Sequence, residues 1–260
     1  MKPRSFVIFS KNKQTDAIAV DKLCEGLMKA GFELDEENPE LIIVLGGDGS
    51  LLRAFHEFRF RGDYVLINTG HLGFFSDYPV NEADAFLHDL TTEDAILEPL
   101  PLFKADYNGK MFYFVSDITL QSERTCELSL QVNGEDFTSL RSSGIVVGSP
   151  IASTGFLASL DSPIVLDSES VYQYAAIAPV TNRLFLNPIR RAILDKNDQL
   201  SITIEDGEAY SYLDGIYNGK AVEKTLTVSC AEDKSVSLLH FREISEARRI
   251  RRSISGIKED

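Results

Sequence analysis

Five apolar residues in a row, Leu41-Ile42-Ile43-Val44-Leu45, run straight into Gly46-Gly47-Asp48-Gly49. A strand with no polar alternation has no solvent-facing side, the pattern of a parallel strand covered on both faces. Parallel strands need helical crossovers, and the neighbouring sequence offers them. Ser5–Ser10 reads as a short strand. Thr15 or Asp16 is placed to cap a helix whose apolar positions Val20, Leu23, Cys24, Leu27 and Met28 follow helical spacing, with Gly31 as its stop after Ala30. A second helix is expected from about Ser50 through Leu51, Leu52, Ala54 and Phe55, then a strand over Tyr64–Asn68. Another helical stretch follows from Asn81 through Ala85, Phe86 and Leu90. The alternation predicts an α/β domain over residues 1–95, a Rossmann-like parallel sheet.

From about Leu97 the pattern changes. Asn108-Gly109 separates Phe103–Tyr107 from Met111–Val115, and Asn133-Gly134 separates Leu128–Val132 from Phe137–Leu140. Asn-Gly readily takes the positive φ angles of a type I′ turn, so both predict hairpins; Asn218-Gly219 is a third such pair. With Ser201–Glu205 and Thr225–Ser229 also strand-like, residues 96–235 read as an all-β sandwich, with one helix expected after Thr154 through Leu157 and Leu160. Arg248, Arg249, Arg251 and Arg252 read as the charged face of a C-terminal helix docked on an acidic body. No low-complexity linker divides the halves, so they are expected to pack rigidly and share a cleft.

The net charge of −14, from 26 basic and 40 acidic side chains, repels a polyanion, so no nucleic-acid partner is expected. No apolar run approaches the roughly 20 residues that cross a bilayer, and no signal-peptide pattern opens the chain, so no membrane association is expected. Cys24, Cys126 and Cys230 are odd in number and widely spaced, which fits a reducing compartment and a cytoplasmic location.

Three segments can carry chemistry. In Gly46–Gly49, glycines let the backbone approach an anion, and the following helix start adds its amides. Asp48 there suits holding a divalent metal or taking a proton from an attacking hydroxyl; the bland reading is a β–α turn with Asp48 as a helix N-cap. No Lys follows these glycines as a Walker A loop requires, and Leu52 stands where the dinucleotide fingerprint needs its third Gly. The second segment, Asn68–Phe74, follows a strand and is expected beside the first loop at the carboxyl edge of the sheet. It carries His71 between Gly70 and Gly73, and Phe74 and Phe75 read either as core or as a wall for a flat ring. His56, His88 and His240 form no metal-binding pair with it. The third, Gly148–Phe156, offers hydroxyls and amides before a helical stretch, or is a β-domain loop with a Ser/Thr cap.

Taken in order, these segments resemble the NAD kinase family, which phosphorylates the adenosine 2′-hydroxyl of NAD. Gly46–Ser50 is similar to the family's G-G-D-G-T, Asn68–Phe74 to its T-G-x-L-G-F turn, and Val147–Phe156 to its S-T-P-x-G-S-T-A-Y segment. Ala178–Arg183 resembles a stretch ending in N-R, and Asp214-Gly215 a late D-G. The resemblance implies an N-terminal α/β domain, a C-terminal β domain and a tail, residues 236–260, returning to the first. It implies NAD and ATP as substrates, polyphosphate as an alternative donor, a divalent ion (Mg²⁺ or Mn²⁺), and a homodimer or homotetramer. By motif, Asp48 would be the general base, Gly46, Gly47 and Gly49 would cradle phosphate, and Phe74 would lie beside the nucleotide. Thr154, Gly155, Phe156 and Ser159 would line the adenosine pocket, with Ala178 closing part of it and Asp214 nearby. No residue is assigned as a metal ligand.

The departures cluster in the nucleoside motifs. Ser116-Asp117 stands for the family's N-E, Ser142-Ser143-Gly144 for its G-D-G, Ile151-Ala152 for Ser/Thr-Gly, and Leu160-Asp161-Ser162-Pro163 for a G-G-P-type turn. Asp117 keeps a carboxylate with a shorter reach, Ser116 lacks the two-pronged amide, and each lost polar contact costs about 1 kcal/mol. Two other readings stay open. One is a non-catalytic NAD(P)-binding relative with a regulatory or mixed-oligomer role; the other is a kinase with a different acceptor, because diacylglycerol kinase-like and phosphofructokinase-like enzymes share a GGDG-type loop.

Overall fold

The computed structural model describes residues 4–70, 73–107, 109–166, 170–183, 186–221, 225–242 and 245–255. The chain divides into two compact units, Met1–Leu100 with Ser235–Asp260, and Pro101–Lys234. His71 and Asn108, both singled out in the sequence, lie outside the described residues, as does the side chain of Arg252.

In the first unit, β1 (Ser5–Ser10), β3 (Leu41–Leu45) and β4 (Asp63–Asn68) run parallel, with β2 (Glu33–Leu34) outside β1 and β5 (Tyr78–Pro79) on β4. Phe6 pairs with Leu41 through to Ser10 with Leu45, and Leu41 pairs with Asp63 through to Leu45 with Ile67. All five residues of β3 are buried, as its unbroken apolar run requires. Helix α1 (Ala17–Lys29) buries Leu23 and Leu27, and α3 (Ala83–Thr92) buries Ala83, Phe86 and Leu90, in one cluster with Ile43, Leu45, Val65 and Ile67. Burying each large side chain contributes roughly 1.5–3 kcal/mol. Met28, expected on the apolar face of α1, is instead exposed. Asp16 does not cap α1 through its side chain; its carboxylate accepts from Ser10 Oγ at the end of β1. Helix α2 (Asp48–Phe58) begins at Asp48, two residues earlier than expected, and the strand β6 (Ile96–Pro99) follows α3.

The second unit contains β7 (Phe103–Tyr107), β8 (Lys110–Phe114), β9 (Asp117–Val132), β10 (Glu135–Gly148), β11 (Val171–Ile177), β12 (Arg191–Asp195), β13 (Leu200–Asp206), β14 (Ala209–Leu213), β15 (Ile216–Ala221) and β16 (Thr225–Cys230). The all-β expectation holds, but among the described residues these strands form one connected antiparallel sheet rather than two separate ones. The cause is the length of β9: Ile118–Gln121 pairs with β14, while Glu127–Val132 pairs mostly with β13. Between these arms the β9–β10 register jumps from Cys126/Ser142 to Gln121/Gly144. Gly144 sits there at φ 144°, where any Cβ would collide with the Leu120 carbonyl. The glycine retained from the family's G-D-G therefore has a steric duty of its own.

Asn133-Gly134 makes the expected hairpin turn, at φ 54° and 81°. Asn218-Gly219 does not: it lies within β15, and Asn218 is the extra residue of a bulge between the Ser211/Gly219 and Tyr212/Tyr217 pairs. The turn joining β14 to β15 is Asp214-Gly215, at φ 50° and 71°. The helix expected after Thr154 is two short 3₁₀ turns, Pro150–Thr154 and Leu157–Leu160. Gly155, at φ −113° and ψ −120°, breaks the path between them.

The last strand, β17 (Ser237–His240), returns to the first unit, parallel to β4 and antiparallel to β6, and helix α4 (Glu246–Ser255) follows. A buried charge network fastens this tail. His240 Nδ1 lies 2.9 Å from the Asp77 carboxylate, with their side chains 2% and 3% exposed. His240 Nε2 lies 3.1 Å from Glu98 Oε2, close enough for an ion pair though not aligned as a hydrogen bond. Arg249 of α4 donates to the same Glu98 oxygen at 2.7 Å. Burial opposes ionisation of Glu98, but His240 and Arg249 outweigh it and bring its pKa down to about 2. Burial likewise opposes the charge on His240, and Asp77 and Glu98 together raise its pKa above the ordinary 6.5.

The His240 contribution is therefore full below pH 6.5 and is lost as pH rises through its raised folded value. That of Glu98 is full above pH 4.5 and is lost as pH falls towards 2. His240→Gln is expected to destabilise the protein by roughly 3 kcal/mol near pH 6, because it leaves Asp77 buried without its partner cation. Urea unfolding of wild type and variant from pH 6 to pH 9 measures this, and the difference between them shrinks as pH rises.

Candidate active site

The carboxyl edge of the parallel sheet carries both glycine turns. Gly46 follows β3 and donates its amide to Ile67 of β4 at 3.1 Å, so that amide belongs to the scaffold rather than to a ligand. Gly47 is the N-cap of α2 in extended conformation, and Asp48 is the first helical residue. Asp48 is thus not the N-cap, and its side chain crosses to the second turn. Its Oδ2 accepts from the Phe74 amide at 2.9 Å and its Oδ1 from the Phe75 amide at 3.2 Å. Gly73 makes the approach possible: a Cβ there would lie 2.5 Å from Asp48 Oδ1. At Gly47 and Gly49 a Cβ would meet nothing within 4 Å, so the missing side chains leave open room beside the helix start. The first amides of a helix have no partner within it, which makes that room suited to an anion.

Phe74 and Phe75 are 8% and 3% exposed and pack edge-to-face at 5.0 Å. Their rings read as core in this structure, and what they bring to the Asp48 side is backbone N–H. Asn68 closes β4, accepts from the Gly70 amide at 2.7 Å, and is buried.

In the second unit, Asp214, the Ser116-Asp117 pair and Ser149 meet at one corner. Asp214 Oδ1 accepts from the amides of Ser116 at 2.6 Å and Asp117 at 3.1 Å, and both its oxygens lie within 3.2 Å of the Val115 amide. Ser149 donates its amide to the Ser116 carbonyl at 2.8 Å and caps its own 3₁₀ turn by accepting from Ile151 N. Asp117 is buried and accepts from Ser116 Oγ and Thr119 Oγ1, each at 3.1 Å. Burial, reinforced by the Asp214 charge, pushes its pKa up to about 6 despite the two hydroxyl donors.

Thr154 and Ser159 turn their hydroxyls onto the carbonyls of Ile151 and Phe156, leaving those oxygens as acceptors. Gly155 and Phe156 are exposed, and Ala178 lies just beyond β11 at φ 43°. Ser159 and Ala178 line one cavity of about 320 Å³ together with Asp161, Arg190 and Arg191. The two arginines escaped the sequence reading because nothing marks them before β11 and β12 pair. Among the described residues no group of three or more His, Cys, Asp or Glu side chains could hold a metal. Asp48 is the carboxylate at the glycine loops, which fits an ion carried mainly by a nucleotide's phosphates.

A family model described as the ATP-NAD kinase N-terminal domain matches residues 9–95. NAD kinase 1 of Bacillus anthracis is 30% identical over 190 residues, covering 69% of this chain and 72% of that protein. The chain belongs to the NAD kinase family. The NAD kinase of Streptococcus pneumoniae strain 70585 is 27% identical over 229 residues, 84% of each chain. In fold, this family member resembles yeast NADH kinase crystallised with NADH, with a TM-score of 0.78, 15% identity and coverage of 98% and 88%. It is also similar to an Archaeoglobus fulgidus NAD kinase crystallised with ATP, with a TM-score of 0.76, 18% identity and coverage of 95% and 98%. The family resemblance and the α/β-plus-β fold expected from the sequence are thereby borne out.

Gly73→Ala is expected to destabilise the protein by roughly 1–3 kcal/mol, because either Asp48 or the second turn must move. Gly47→Ala, facing open space, should shift stability by less than about 1 kcal/mol. Paired urea denaturation curves measure both.

Proposed function

We propose that this chain is an NAD kinase: it transfers the γ-phosphoryl group of ATP to the adenosine 2′-hydroxyl of NAD, giving NADP and ADP. The observation that carries the reading is Asp48, a carboxylate held by two amides at the edge of an open, glycine-lined helix start. Each of its oxygens accepts one hydrogen bond from the second turn and keeps a lone pair for another donor. In the transfer, the 2′-hydroxyl gives its proton to Asp48 as its oxygen bonds the γ-phosphorus, and the bond from that phosphorus to the bridging oxygen of ADP breaks. The amides at the start of α2 offset charge on the phosphoryl oxygens. A divalent ion on the donor's phosphates would supply further charge neutralisation.

The nucleoside is the share of the second unit. Asp117 and Ser116 take ribose hydroxyls, and Thr154, Gly155, Phe156, Ser159 and Ala178 form the wall, with Asp214 behind Asp117. ATP is the donor, with polyphosphate as its alternative. The protein works as a homodimer or homotetramer in the cytoplasm, without a nucleic-acid or membrane partner. Three free cysteines suit that compartment, and among the described residues no helix is long and apolar enough to cross a membrane.

A non-catalytic NAD(P)-binding role is the competing reading, favoured by Ser143 in place of the family's aspartate and by Ile151 in place of a hydroxyl residue. Purified protein incubated with NAD, ATP and Mg²⁺ separates the two. NADP should accumulate, and Asp48→Asn should lower kcat by about 10²–10⁴-fold, the usual worth of a positioned general base. NAD binding by calorimetry, with no NADP formed from ATP or polyphosphate in Mg²⁺ or Mn²⁺, would establish the competing reading instead.

A further inference from the structure

The Asp214-Gly215 turn is joined to the Ser116-Asp117 corner in both directions. Asp214 donates its own amide to the Asp117 carbonyl at 2.8 Å, while its carboxylate collects the amides of Val115, Ser116 and Asp117. It is buried, and it holds a left-handed backbone at φ 50° in the two-residue turn. Two-residue turns of this hand are most often Asn-Gly, and an asparagine would serve the turn itself equally well. A buried carboxylate in this place does something a turn does not require: it puts a second negative charge behind Asp117.

We infer that Asp214 is the positioning residue of the nucleoside site: it fixes the backbone that carries Asp117 and adds its charge to the burial that opposes ionisation of that carboxyl. The inference rests on the proposed function only for the identity of the ligand. Its geometry lies wholly within the second unit.

An ionised Asp117 accepts hydrogen bonds from ligand hydroxyls, and a protonated one loses half of that capacity. Burial is the largest influence raising the Asp117 carboxyl, and among the described residues the charge that adds to it is that of Asp214, from the turn after β14. Its neighbours from the β8–β9 corner and β9, Ser116 and Thr119, are hydroxyls, and they favour the ionised form. Asp117, raised to about 6, therefore titrates close to neutrality, whereas an ordinary carboxylate at 3.8 would not. Ligand binding through Asp117 should weaken as pH falls through about 6.

The hydrogen bonds and the charge of Asp214 can be separated by a variant. Oδ1 accepts from all three amides, and Oδ2 also accepts from Val115. Asp214→Asn keeps an oxygen for the amides and removes the charge. Asp214→Ala removes both.

The direct test follows the carboxyl ¹³C shift of Asp117 by NMR in the ligand-free protein, assigned by its disappearance in Asp117→Asn. Wild type should titrate near 6, and Asp214→Asn should titrate lower by about one unit, the size of one neighbouring charge. NAD affinity measured from pH 5 to pH 8 should show the same displacement of its acid limb. Asp214→Ala, where it folds, should raise the KM for NAD about tenfold or more with a smaller change in kcat, and Asp214→Asn should recover most of that loss at pH 8. An unchanged Asp117 titration in Asp214→Asn would overturn the inference, whether or not NAD binds. A displaced titration in a protein that binds no NAD would keep Asp214 in its role and remove NAD as the ligand.

Discussion

Two hydrogen bonds accepted by Asp48 from the Phe74 and Phe75 amides tie together the two glycine turns at the carboxyl edge of the first unit's sheet. Parallel strands bring the ends of β3 and β4 side by side, but nothing in a sheet dictates how the loops beyond them lie. Asp48 does so by reaching from the first residue of α2 to the second glycine turn. The cost is borne by sequence: a side chain at Gly73 would occupy the carboxylate's place. Gly47 and Gly49 are the other half of the arrangement, since their missing side chains leave open room beside the helix start.

The second unit solves a comparable problem with the charges reversed in role. There a buried carboxylate, Asp214, is the anchor, and the backbone at Val115–Asp117 is what it holds. The Ser149 amide bonds the same corner, so three segments distant in sequence meet through main-chain atoms. Substitution of side chains at Ser116, Ile151 or Ser143 leaves those main-chain bonds in place. The nucleoside motifs can therefore diverge from the family pattern while the frame beneath them persists.

Much of this was legible in the sequence, and the failures have physical causes. Leu41–Leu45 announced a doubly covered strand because burial on both faces leaves no room for alternation. Asn133-Gly134 announced its hairpin because two positive φ angles are costly for other residues. Asn218-Gly219 carried the same signal and served a bulge, for a bulge needs the same backbone freedom. Asp16 promised a cap and bonds Ser10 instead, and the helix expected after Thr154 gave way to 3₁₀ turns at Gly155. The tail's anchorage was partly visible as an arginine cluster. Its partners Asp77, Glu98 and His240 were not, because they are joined only once β17 enters the sheet.

The same limit hid what Asp48 touches: 26 residues separate it from Phe74, and no local pattern encodes the contact. Amide hydrogen exchange at Phe74 and Phe75 measures that contact directly, in wild type and in Asp48→Ala. The two hydrogen bonds predict slow exchange at both amides in wild type and at least about tenfold faster exchange in the variant, with β3 and β4 unaffected. Equal protection in the two proteins would mean that something other than Asp48 holds the second turn, and the account of this edge would be wrong.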